Sequence, residues 1–194
     1  MSKGRILLAG LVAGIVVFIW MGIAHMATGL GMVGIRELPN EAAVFAALQG
    51  APAGFYYFPG MNLPPNPTAD QKAQANKEYG ARYAKLPSGI LVYTPPTGDT
   101  NPMGPRRMGF EFLTELAQAM VVIWLLANTI LTARSKIIFA TAIGVVAAIT
   151  TNVSYNIWYN FPSNYTLVQI FTQVVGFFLV GVVGALMLRT KQSA

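Results

Sequence analysis

The sequence predicts an all-α transmembrane fold, an antiparallel four-helix bundle with a small α+β or irregular extracytoplasmic cap between the first and second spans. Three observations carry this prediction. Residues 6–26, ILLAGLVAGIVVFIWMGIAHM, hold no acidic or basic side chain but a terminal histidine and are framed by Lys3 and Arg5. Three more apolar runs follow the polar stretch 27–107. Charged residues make up 10% of the 194-residue chain and apolar ones 54%, against roughly 25% charged in an average globular domain.

Composition also excludes several function classes. There is no cysteine, so disulfides, thiolate catalysis, cysteine-held metals and covalently attached haem are ruled out. The net charge is +6, but the basic residues gather mostly beside span ends, as bilayer topology demands. No nucleic-acid partner is therefore expected. The partners expected are the lipid bilayer and either further copies of the chain or a partner membrane subunit. The first run follows basic residues, as a signal peptide does. Its apolar length exceeds the roughly 7–15 residues of a signal core, so a retained span is expected, although small residues do follow His25.

Residues 1–26 are read as the N-terminus and first span, 27–107 as the extracytoplasmic segment, and 108–194 as spans two to four with the C-terminus. In the first span Gly10 and Gly14 form a small-xxx-small pair that admits a neighbouring helix. Gly14, Phe18, Gly22, His25 and Gly29 fall near one face, the expected inward one. Asn40 is expected to cap a helix EAAVFAALQ with Glu41 in its first turn. GFYYFPG (54–60) reads as a strand, or as a segment lying against the membrane interface, and ILVYT (90–94) as its pairing candidate. Thr68 and Gln71 have capping-box spacing and open a helix over 69–85. PPTGDTNPMGP is too rich in proline and glycine for regular structure.

The second span starts near Met108, and Arg134 and Lys136 close it. The third is IIFATAIGVVAAITTNVSYNIWY (137–159), and Pro162 breaks the turn before the fourth, TLVQIFTQVVGFFLVGVVGALML. Lys3, Arg5, Arg134, Lys136, Arg189 and Lys191 then share one side, which places both termini in the cytoplasm. Arg106 and Arg107 sit beside a span on the other side and weigh slightly against this. Tyr155, Trp158, Tyr159, Phe161 and Tyr165 suit an interfacial aromatic belt. Ala140, Gly144 and Ala148, and likewise Gly181 and Ala185, form small-residue stripes for helix packing within the chain or against a partner subunit.

The candidate site lies at the outer ends of the spans. His25 closes the first span. Glu111 and Glu115 open the second on one helix face, with Gln118 continuing it. Asn152, Tyr155 and Asn156 end the third. Gln169 and Gln173 lie in the outer half of the fourth. His25, Glu111, Glu115 and Tyr155 form the candidate pocket, and the five amides are candidate binding groups. A carboxylate in hydrocarbon is costly, so Glu115 should face the bundle or a wet cavity. One reading is a polar pocket beneath the external segment, for proton chemistry or a small, partly apolar molecule. The other is structural: Glu111 pairs with Arg106 or Arg107, Glu115 accepts helix-packing hydrogen bonds, and His25 anchors the outer segment. No catalytic role, cofactor or metal is assigned, because the spacing matches no metal signature and GMVGIR lacks the strand–GxGxxG–helix setting of a nucleotide site.

HMATGLGMVGIRELPNEAAV, YYFPG, FEFLTE and NIWYNFP together resemble an uncharacterised family of small bacterial four-span inner-membrane proteins. That resemblance implies a bacterial inner membrane and no particular activity. The four-span layout with a large first outer loop is similar to claudins in topology alone, since their loop cysteines are missing. The first function expected is an accessory or structural membrane subunit. The alternative is an enzyme or binding protein for a small, partly apolar molecule at the outer leaflet. A transporter is disfavoured by the short chain and the apolar inner half.

Overall fold

The computed structural model describes residues 1–188, and the basic pair Arg189 and Lys191 lies outside the described residues. Helix α1 (Lys3–Gly22) runs without a break into a π-helical turn, Ile23–Ala27. Gly29, at φ 74°, then ends it. The elements that follow are α2 (Glu41–Ala47), β1 (Gly54–Phe58), α3 (Ala69–Tyr83) and β2 (Gly89–Tyr93). Next come α4 (Pro105–Ala127) and α5 (Ala133–Ala148), a second π-helical turn (Ile149–Val153), α6 (Ser154–Tyr159) and α7 (Ser163–Met187). The chain forms two compact units, one of Leu38–Thr100 and one of Met1–Glu37 with the chain from Asn101 onward.

In the Leu38–Thr100 unit, β1 and β2 pair antiparallel, with Phe55 opposite Val92 and Tyr57 opposite Ile90. Thr68 and Gln71 make both bonds of the capping box, so two orphan donors at the start of α3 are satisfied. α3 buries none of its residues, as its mixed charges require. Asn40 does not act as expected. It adopts a left-handed conformation (φ 58°), its side chain makes no capping bond, and α2 ends at Ala47.

The other unit holds four helical segments long and apolar enough to cross a membrane: Lys3–Ala27, Pro105–Ala127, Ala133–Tyr159 and Ser163–Met187. Their packing register is set by small residues. A Cβ on Gly14 would lie 2.8 Å from the Leu116 Cα, while Gly10 abuts Met120 and Phe18 meets Phe112 edge-on at 5.4 Å. Rising numbers on α1 thus meet falling numbers on α4, which makes the pair antiparallel. α5 and α7 also run antiparallel: Gly181 abuts Ile137 and Ala140, Gly144 abuts Phe177, and Asn152 reaches Gln173. α1 also meets α7, through Gly176 against Val17 and the Trp20 indole donating to the Thr172 carbonyl at 2.9 Å. Ala140, Gly144 and Ala148 are all buried, so this stripe is used within the chain.

The core combines Ala9, Ala13, Ala119 and Ala140 with Ile123, Leu126, Val180 and Leu188, while Leu7, Ile19, Trp124, Val146, Leu167 and Leu186 are exposed. So many large apolar side chains on the outside suit a membrane solvent.

Three expectations change. The inward face of α1 is Ala9, Gly10, Ala13, Gly14 and Val17. Gly22 and His25 are half-buried, and Gly29 is exposed because the helix has already ended. α4 begins at Pro105, ahead of Met108, because proline suits a first helical turn. Arg134 and Lys136 open α5 rather than closing α4, and Lys136 is not a flank residue. It is 3% exposed, and its ammonium donates to the Leu188 carbonyl at the end of α7.

Candidate functional site

Polar side chains from three of the four apolar segments converge on a chamber of about 270 Å³. α4 contributes Thr114, Glu115 and Gln118, and α7 contributes Gln169, Thr172 and Gln173. The second π-helical turn brings Thr151 and Asn152, and α1 closes the wall with Val17 and Met21. Glu115 is 4% exposed and accepts a hydrogen bond from the Gln118 Nε2. Asn152 Nδ2 donates to the Ala148 carbonyl at 3.0 Å and to Gln173 Oε1 at 3.2 Å. Glu115 and Gln118 are thus paired within α4, and Asn152 and Gln173 are paired from the second π-helical turn to α7.

A second, larger cavity of about 750 Å³ is lined by His25 and Glu111 together with Phe18, Ile19, Ile23, Met26, Met103 and Met108. Met21 and Gln169 line both spaces, so the cavities adjoin there. His25 Nδ1 lies 3.0 Å from the Met21 carbonyl. A carbonyl only accepts, so Nδ1 carries the proton in that bond and Nε2 is the nitrogen available to a ligand.

The structure divides the residues singled out in the sequence. Glu115, Gln118, Asn152, Gln169 and Gln173 line the small chamber. His25 and Glu111 line the larger cavity, where Gln169 joins them. Tyr155 and Asn156 line neither. Tyr155 is exposed and stacks on Phe161 at 5.5 Å, and Asn156 donates to the Phe161 carbonyl at 2.6 Å, so both hold the α6–α7 turn. The aromatic belt residues do cluster: Phe161 also meets Tyr165 at 5.6 Å, and Trp158 is 77% exposed.

Sequence reasoning missed the threonines and the π-helical turns. Thr114, Thr151 and Thr172 line the chamber, but a lone threonine in an apolar helix carries no signal. Each donates its hydroxyl proton to a carbonyl of its own helix, at Phe110, Ala147 and Val168 respectively. Their hydroxyl protons therefore go to backbone carbonyls rather than to a side-chain base, which is not the arrangement of an activated nucleophile. His25 and Asn152 sit on the two π-helical turns, where a widened helix re-aims side chains, a feature frequent at functional sites. Among the described residues, no three of His, Asp and Glu converge as metal ligands. The chamber offers amide donors and acceptors around one carboxylate, next to a space lined by thioethers and Phe18.

A family model described as "Protein of unknown function (DUF1761)" matches residues 71–184, more than half of the chain. No curated protein matches, and no solved structure does.

Proposed function

This chain belongs to the DUF1761 family, proteins of unknown function, and we propose that it is a multi-pass membrane protein that binds a small, partly apolar molecule at the outer end of an antiparallel four-helix bundle. The observation that carries this is that two neighbouring cavities share Met21 and Gln169 in their walls. One space is amide-lined and holds a polar head. The other, at about 750 Å³, is within the roughly 300–1,000 Å³ of small-molecule sites and takes an apolar body. Binding rather than catalysis is favoured because each chamber threonine has its proton committed to a backbone carbonyl.

The polar ends face the extracytoplasmic side in this reading, and residues 27–107 lie on that side too. Lys3, Arg5 and Arg134 support cytoplasmic termini by the positive-inside bias. Lys136 lends less, because it is spent on Leu188. The bacterial inner membrane is the location that the sequence resemblance implies. An accessory role needs a face for another helix. The small-residue stripes that would supply one are taken up by contacts within the chain, so this role is the weaker reading.

Native mass spectrometry of the chain purified in mild detergent tests the proposal. A discrete small-molecule adduct is expected, weakened in a Gln173→Leu variant that breaks the Asn152 bond. A wild-type chain carrying only heterogeneous phospholipid, unchanged by the substitution, would count against it.

A further inference from the structure

The two adjoining cavities are lined by two carboxylates, Glu115 and Glu111, and we propose that their ligand is a lipophilic cation: an organic ammonium or similar centre whose charge lies against Glu115 while its apolar body fills the methionine-lined space. This rests on the binding function proposed above and names its ligand class.

Glu115 is 4% exposed, and the donor it meets, Gln118, is uncharged. Glu111 adds a second carboxylate on the wall of the larger cavity. Among the described residues, no lysine or arginine lines either space. The basic side chains nearest in sequence are turned to other partners. The Arg106 guanidinium lies over the Phe110 ring, 5.9 Å from its centroid. Arg107 donates to the Pro102 carbonyl at 3.2 Å. His25 lines the larger cavity, with Nδ1 donating to its own helix and Nε2 left to the cavity.

A carboxylate withdrawn from water gains most from a counter-charge within a few ångströms, because the low dielectric that makes it costly also strengthens the pairing. An anionic ligand would face two carboxylates. A neutral one would use the amides of Gln169 and Gln173 and add no charge beside Glu115. A cation answers both. The apolar wall agrees, since Phe18 contributes an aromatic ring and Met21, Met26, Met103 and Met108 contribute polarizable thioethers. These groups accept positive charge and donate nothing to negative charge.

Three probes of similar shape and different charge test this on the full chain in an uncharged detergent: tetraphenylphosphonium, triphenylphosphine oxide and tetraphenylborate. The cation should bind about tenfold or more tightly than the oxide, and the borate should not compete. Glu115→Gln should weaken the cation by about tenfold and leave the oxide within about twofold, which also shows that the variant keeps its cavity. If that variant does not fold, the ranking of the three probes on the native chain decides. Oxide or borate binding as tight as the cation overturns the cation assignment while the binding function stands. No binding of any probe overturns both.

Discussion

Lys136 shows how one side chain changes meaning between sequence and structure. Beside an apolar run, a lysine reads as a flank that meets lipid headgroups. Here it is buried, and its ammonium satisfies the Leu188 carbonyl, fifty-two residues along the chain. The last carbonyls of a helix lack internal partners and carry the negative end of its dipole. Lys136→Met keeps the aliphatic stem and removes the charge-assisted bond, so it should cost about 1.5–3 kcal/mol. Arg134→Met, at an exposed neighbour, should change stability by less than about 0.5 kcal/mol. Thermal unfolding of both variants in detergent checks the pair, and equal losses would contradict the capping role. No local pattern distinguishes Lys136 from Arg134, because the difference arises from a helix end that packing brings to one of them. Glu115 was more legible. It is a carboxylate far inside an apolar run, and its cost alone predicts a polar setting.

At the scale of elements, the helix contacts turn on which atoms a glycine faces. A Cβ on Gly181 would lie 2.8 Å from the Ile137 Cα, a backbone atom that cannot step aside. One on Gly176 would meet Val17 at 3.4 Å, an ordinary contact. Gly181→Ala should therefore cost about 1–3 kcal/mol by overpacking. Gly176→Ala should be neutral or stabilising by up to about 1 kcal/mol, because alanine favours the helix. Unfolding midpoints of the two variants rank them, and the reverse order would contradict the α5–α7 register. In α3 the Gln71 amide donates to Thr68 Oγ1, whereas the Lys72 amide donates to the Thr68 carbonyl. Thr68→Ala should weaken the cap by about 1 kcal/mol and speed hydrogen exchange at Gln71 by about fivefold. Lys72 should change less. The small-residue stripes and the capping box could be read from the sequence because each is a local spacing with one physical meaning. The two π-helical turns could not, since one extra residue in a helical turn leaves no mark on an apolar pattern.

For the whole chain, counting along alternating spans puts His25, Glu115, Asn152 and Gln173 at one level, so the polar end of the helices was legible. Their division between two cavities was not, because it depends on how each helix is rotated about its axis. That rotation also carries Tyr155 and Asn156 out of the site and into the α6–α7 turn. The proposed binding site requires the polar ends to face the extracytoplasmic side of a bilayer that all four segments cross. The absence of cysteine makes that requirement directly measurable. Single cysteines are placed at Asn76, exposed on α3, and at Ile130, exposed in the turn between α4 and α5. A membrane-impermeant maleimide is then applied to spheroplasts before and after lysis. The Asn76→Cys chain should label before lysis and the Ile130→Cys chain only after it. Labelling of Ile130→Cys in unbroken spheroplasts, with Asn76→Cys protected, would contradict the account.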